Sequence, residues 1–223
     1  MRIGILGTGT LAEALGRGWS QAGHELVIGG RSRAKAGALA ARLGETARAA
    51  TPREAVTRCD AVLLAVLWPG VEAILSSAGA GEGALAGKTV IDPTNAVEHG
   101  VGVLLPEQGA AAERIAVHAP GAHVVKAFHL FAADQWTHRP ADGGHDAPTA
   151  PTAPTVAICG DDATALRITG QLIRDVGGIP AVLGPLSRAR QLEEVAGFVI
   201  GLAFAGFDPA SAIPQVPTGT VSG

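Results

Sequence analysis

The stretch Arg2-Ile3-Gly4-Ile5-Leu6-Gly7-Thr8-Gly9-Thr10-Leu11-Ala12 decides the fold. Its first five residues read as a short apolar strand. The G-x-G-x-x-[GA] pattern of a dinucleotide-binding turn follows at once, and a helical pattern follows that. Context carries more weight than pattern here, because isolated matches arise by chance. In a strand–turn–helix unit, Gly7 permits the tight turn. Gly9 removes a Cβ that would hold a pyrophosphate off the backbone, and Ala12 lets the helix press against the strand. A pyrophosphate would then sit at the helix N-terminus, where free N–H groups and the helix dipole favour an anion. An ordinary glycine-rich turn is the plainer alternative.

Working outward, residues 10–22 form a helix with Leu11, Leu15 and Trp19 on one face. Gly23 fits its C-terminal stop. Residues 25–28 are a second strand, and Gly29-Gly30-Arg31-Ser32-Arg33 follows it. An NAD site usually places an acid near this point to hold the ribose 2′-hydroxyl. No Asp or Glu occurs between Leu26 and Gly44. Arg31 and Arg33 instead suit a 2′-phosphate, because guanidinium donors are forked and always charged, and Ser32 can donate a hydrogen bond to it. The stretch points to NADP(H). A solvated basic turn opening a helix is the competing reading.

The remaining chain continues this rhythm. Residues 34–43 are helical, with a short strand near 46–48. Thr51-Pro52-Arg53-Glu54 looks like a helix start, with Thr51 as cap, Pro52 in the first turn and Glu54 completing a capping box. The apolar run 60–66 suits a central parallel strand covered on both faces. A helix over 69–77 and a strand over 88–91 follow, the strand ending in Asp92-Pro93-Thr94-Asn95. Then come a helix over 107–116 and a strand over 123–128. Prolines and glycines forbid regular structure through most of 137–155, which reads as a surface loop. The last units are a strand at 155–159, a helix at 161–176 with Asp161 and Asp162 at its start, a strand at 179–183 and a helix at 186–204. A Pro/Gly/Thr-rich tail runs over 208–223. The sum is one α/β domain over 1–223: a doubly wound, mostly parallel sheet with a small C-terminal helical part.

Composition narrows the function. The chain has 223 residues, 47% hydrophobic and 17% charged, with a net charge of −3. That balance suits a compact globule and gives no global pull toward nucleic acid or an anionic membrane. No apolar run is long enough to span a bilayer. A strand carrying the cofactor turn cannot also be a cleaved signal, so a cytoplasmic location is expected. Cys59 and Cys159 read as buried, reduced thiols. The seven histidines show no metal-ligand spacing, so no metal is expected.

The chain has no tyrosine, which excludes a short-chain dehydrogenase with a Tyr acid. Only Lys35, Lys88 and Lys126 are present, and none is an obvious catalytic lysine on a long helix. A hydroxyacid dehydrogenase, which uses such a lysine, also carries a large helical second domain, and this chain is expected to be too short for one. A nucleotide site without evident proton-transfer residues fits a reaction between two redox cofactors. Hydride transfer from nicotinamide to a flavin-like ring chiefly needs the rings stacked at the right distance.

Several segments together resemble the NADPH-dependent reductases of the 8-hydroxy-5-deazaflavin coenzyme, F420. They are Gly4–Leu11, Gly23–Arg31, Ala65-Val66 with Trp68, Ile91–Asn95, Val125–Phe128, Gly160-Asp161-Asp162, and Gly184–Arg190 followed by Leu192-Glu193. The resemblance covers about residues 1–204. It implies a Rossmann-like fold, a homo-oligomer and hydride exchange between NADP(H) and F420. By that resemblance Gly7, Thr8, Gly9, Thr10 and Leu11 hold the pyrophosphate, and Arg31, Ser32 and Arg33 the 2′-phosphate. Ala65, Val66 and Trp68 lie along the nicotinamide half. Asn95, Ala127 and Phe128 approach the nicotinamide and the second ring. His129, Leu186 and Ser187 line the second-substrate pocket, which the 186–223 segment completes.

Three features depart from the family pattern: His129 where the family has Asn, the proline-rich 137–155 loop, and the tail after Phe204. His129 reads either as a proton donor or as a satisfied pocket residue. Trp68 reads as pocket wall or core, Asp92 as shaping its strand end. Arg188 and Arg190 read as solvated, or as a grip on an anionic tail. Two other functions compete: reduction of a small carbonyl or imine with His129 as acid, and a non-enzymatic NADP(H) sensor whose partner docks on the 137–155 loop.

Overall fold

A computed structural model of the chain describes residues 1–98, 100–105, 109–137 and 153–214. Eight strands form one sheet: β1 (Arg2–Leu6), β2 (Glu25–Gly29), β3 (Ala47–Ala50), β4 (Ala61–Leu64), β5 (Thr89–Asp92), β6 (His123–Lys126), β7 (Thr155–Gly160) and β8 (Ile179–Gly184). Seven α-helices accompany them: α1 (Thr10–Gln21), α2 (Arg33–Leu43), α3 (Pro52–Val56), α4 (Val71–Ala78), α5 (Ala111–His118), α6 (Ala163–Asp175) and α7 (Ala189–Phe204). The strand order is β3-β2-β1-β4-β5-β6-β7-β8. The first six strands are parallel; β7 runs antiparallel to β6, and β8 runs parallel to β7. This is the Rossmann-like order, with its topological switch between β1 and β4, where such sheets bind ligands.

The strands' period of two divides the core into two layers. Ile3, Ile5, Leu26, Ile28, Leu63, Ile91 and Val125 face α1, α2 and α6, with Trp19, Leu39, Leu172 and Ile173. Leu6, Val27, Val62, Leu64, Val90 and Val124 face the other way, with Ile74, Leu75, Ile115 and Leu192. Buried on both faces, these strands must read as near-continuous apolar runs, as 61–64 does. Trp19 closes the first layer and donates its indole N–H to the Leu172 carbonyl at 2.9 Å.

The expected start signals form as local hydrogen bonds. Thr51 and Glu54 make the capping box: Glu54 N–H donates to Thr51 Oγ1 at 3.2 Å, and Thr51 N–H to Glu54 Oε2 at 2.8 Å. Asp162 caps α6 through Ala165 N–H at 2.7 Å. Asp161 instead accepts from Leu186 N–H at 2.8 Å, so α6 starts at Ala163 rather than at 161. Two other boundaries also differ. The strand expected over 123–128 ends at Lys126, because Phe128 turns the chain with φ 62°. The helix expected over 107–116 begins at Ala111, where Glu113 takes the Ala110 N–H at 2.8 Å. Residues 138–152 of the proline-rich loop and 215–223 of the tail lie outside the described residues. Among the described residues, no helix is long and apolar enough to cross a membrane.

Candidate functional site

The carboxyl ends of β1, β4, β5 and β6 bring the candidate residues to one edge of the sheet. Gly7 has φ 135°, and a Cβ there would collide with the Ala65 carbonyl. Only glycine lets β1 turn this close beside β4. Gly7 N–H donates to the Gly29 carbonyl at 2.8 Å, which ties the turn to β2 as well. Gly9 differs in a telling way. Its φ of −84° and ψ of −174° suit any residue, and among the described residues a Cβ there would meet nothing within 4 Å. Packing does not require glycine at this position. The open space above the turn fits a ligand lying on it, and the residues present fit a pyrophosphate. No side chain caps α1, and Thr10 is exposed beside Gly9.

Arg31 and Arg33 are exposed at the end of β2, and neither makes a salt bridge among the described residues. Ser32 caps α2 by accepting the Lys35 N–H at 3.3 Å. Its hydroxyl hydrogen stays available to a phosphate oxygen, since an N-cap serine uses its oxygen as acceptor. Glu54 lies within the field of Arg33. Its carboxyl is lowered first by the Thr51 hydrogen bonds and then by Arg33 and Arg48.

Past β4, Ala65, Val66 and Trp68 are half-buried, and Leu67 between them is 85% exposed. Trp68 starts a short 3-10 turn and packs on the second core layer. Past β5, Asn95 Nδ2 donates to the His129 carbonyl at 2.7 Å, and its Oδ1 is buried without a partner among the described residues. The His129 ring is also buried, and neither nitrogen has a hydrogen-bond partner among the described residues. Burial, with the Lys126 charge adding to it, pushes its pKa down to about 3. His129 is therefore a neutral hydrogen-bonding group at physiological pH and is poorly suited to act as a general acid. Buried polar atoms of this kind need partners, and a polar ligand group at the strand ends would supply them.

Phe128 needs a correction. Its ring does not line the site. It is 1% exposed, in edge contact with Trp19 at 6.2 Å and with Trp136 at 5.3 Å. The left-handed backbone at Phe128 swings the ring into the first core layer. Ala127 is buried, with its N–H on the Asp92 carbonyl at 3.0 Å. The Leu186–Arg188 turn packs against β6, with Leu186 buried and Ser187 exposed. Arg188 is bonded to Gln191 and the Leu183 carbonyl, Arg190 to Glu194 and the Gly109 carbonyl.

Sequence reasoning missed one group beneath these residues. Lys126 Nζ is fully buried, 3.0 Å from Asp92 Oδ2 and 3.1 Å from Glu193 Oε1, and donates to the Thr94 carbonyl at 2.5 Å. Asp92 Oδ1 accepts from Thr94 N–H and Oγ1–H, and Glu193 from the N–H groups of Ala111 and Ala112. The signal available was a lysine inside an otherwise apolar strand, which demands a buried carboxylate partner. The partner on α7, 67 positions on, leaves no local trace. Cys59 and Cys159 are buried and free, and burial raises the thiol pKa of Cys159 to about 11.

A family model described as "NADP oxidoreductase coenzyme F420-dependent" matches residues 2–96. The F420-dependent NADP reductase of Methanothermobacter marburgensis is 28% identical over 218 residues, covering 91% of this chain and 92% of that protein. Rat metalloreductase STEAP3 is 29% identical over 194 residues, 87% of this chain; the chain spans only 36% of STEAP3's length. An Arthrobacter crystal structure described as a candidate F420-dependent NADP reductase superposes with a TM-score of 0.75 at 25% identity. It covers 93% of this chain and 96% of its own.

Proposed function

We propose that the chain is a coenzyme F420-dependent NADP oxidoreductase, exchanging a hydride between NADP(H) and F420. The observation that carries the nucleotide half is Gly9, a glycine that no contact among the described residues requires. In this reading the Gly7–Leu11 turn and the α1 N-terminus hold the pyrophosphate. Arg31, Ser32 and Arg33 select the 2′-phosphate. Ala65, Val66 and Trp68 wall the nicotinamide half. Asn95 and the neutral His129 hydrogen-bond polar groups of the bound rings, while Ala127 forms a floor too small to obstruct them. Leu186 and Ser187 border the second substrate.

When bound, the nicotinamide supplies the hydride chemistry, and the deazaflavin accepts it without a carbonyl to be polarised. The protein's part is to orient two rings and exclude water. His129, neutral at physiological pH, agrees with this. The similarity to an F420-dependent reductase over 92% of its length supports the choice of acceptor.

Absorbance tests it. Protein mixed with NADPH and oxidised F420 should bleach the deazaflavin's visible band catalytically. NADPH oxidation by a carbonyl or imine with the F420 band intact would replace this reading. Binding of NADPH with no turnover of either acceptor would favour a sensor.

A further inference from the structure

The Lys126 cluster joins three segments that sequence separates widely. Asp92 and Thr94 belong to the turn after β5, Lys126 ends β6, and Glu193 lies in the second turn of α7. Lys126, Asp92 and Glu193 are each at most 1% exposed. One ammonium meets two carboxylates, and the excess negative charge is met by N–H groups at the start of α5 and by Thr94. Stability alone does not account for such a cluster. Well-packed apolar side chains would hold the same segments without desolvating three ions. A fully satisfied ionic network adds something else, a single allowed geometry.

That geometry is transmitted directly to the strand ends. Two residues past Lys126, Phe128 holds φ 62°, a conformation that is strained for a bulky residue and persists only where the surroundings over-determine it. Lys126 anchors one side of this corner, and the Trp19 and Trp136 rings clamp the other. The corner delivers the His129 carbonyl to Asn95 Nδ2, while Ala127 N–H bonds the Asp92 carbonyl. The 92–95 turn and the 126–129 corner thus form one unit, keyed through Glu193 to the helix that follows the Leu186–Arg188 turn.

We propose that Lys126 is a positioning residue for the nicotinamide half of the bound nucleotide, holding the 92–95 turn, the 126–129 corner and the start of α7 in one register. The proposal rests on the NADP(H) reading above. It predicts an effect confined to that half, because the Gly7–Leu11 turn and the Arg31–Arg33 cluster stand on β1 and β2.

The test compares two ligands by calorimetry: NADP+ and 2′-phospho-ADP-ribose, which lacks the nicotinamide. A charge-neutral triple variant (Lys126→Met, Asp92→Asn, Glu193→Gln) avoids leaving an unpaired buried ion. The single variant Glu193→Gln keeps an oxygen for α5 and carries the same comparison if the triple fails to fold. Binding of 2′-phospho-ADP-ribose should stay within about threefold of the unmodified protein, while NADP+ weakens about tenfold in the triple and about threefold in the single. Equal weakening of both ligands, or unchanged NADP+ binding however far Tm falls, overturns the proposal. If the unmodified protein binds 2′-phospho-ADP-ribose and gains nothing from the nicotinamide, the proposal falls and the NADP(H) reading stands. If it binds neither ligand, both fall.

Discussion

At the scale of single residues, the two glycines of the first turn have opposite reasons to be there. Gly7 is required by the protein, since a Cβ would strike the Ala65 carbonyl. Gly9 is required by no contact among the described residues. Gly9→Val should therefore leave Tm and circular dichroism nearly unchanged and abolish NADPH binding, measured by calorimetry. Micromolar binding in the variant would place the phosphate cradle elsewhere. Arg31 and Arg33 give a second expectation. Charge-assisted contacts contribute about 1.5–3 kcal/mol each, so replacing both with Ala should erase a preference for NADPH over NADH of about a hundredfold. Equal affinity of the unmodified protein for the two nucleotides would contradict the assignment. Both expectations come from local sequence, which is why the turn and the arginines were legible there. Phe128 was not, because a left-handed backbone at a bulky residue has no sequence signature.

At the scale of elements, the strands and the capped helices were legible wherever their cause is local. The Thr51–Glu54 box is the clearest case, and its removal is measurable. Thr51→Ala should cost about 1 kcal/mol in urea unfolding, with nucleotide affinity unchanged. A loss below a few tenths would mean that packing of α3, not its cap, sets its stability. Elements whose limits depend on distant partners were misjudged. β6 stops at Lys126 because the corner beyond it is held by Asp92, Thr94 and the tryptophans. α5 starts at Ala111, where Glu193 from α7 takes the Ala111 and Ala112 N–H groups. Neither partnership can be seen within a window of ten residues.

At the scale of the whole molecule, the buried neutral His129 links the site to stability. Its folded pKa, near 3, is below the ordinary value of 6.5. Between those values the unfolded chain binds a proton that the native protein does not. Stability is thus fully present above about pH 6.5 and falls as pH drops toward 3, by up to about 1.4 kcal/mol per pH unit from this residue. His129→Asn should flatten that slope in urea midpoints taken from pH 7 to pH 4. An unchanged slope would mean that the ring ionises freely in the native state.

The parallel half of the sheet binds the nucleotide in this account, and the C-terminal segment tied to it through Lys126 and Asp161 presents the acceptor. The claim that joins the halves is direct hydride passage between two cofactors. A single turnover in ordinary water, with NADPH deuterated at nicotinamide C4 on one face and then on the other, tests it most directly. One of the two labels should appear, by mass spectrometry, as one deuterium at C5 of the reduced deazaflavin. Reduced deazaflavin that carries no deuterium from either label would contradict the account.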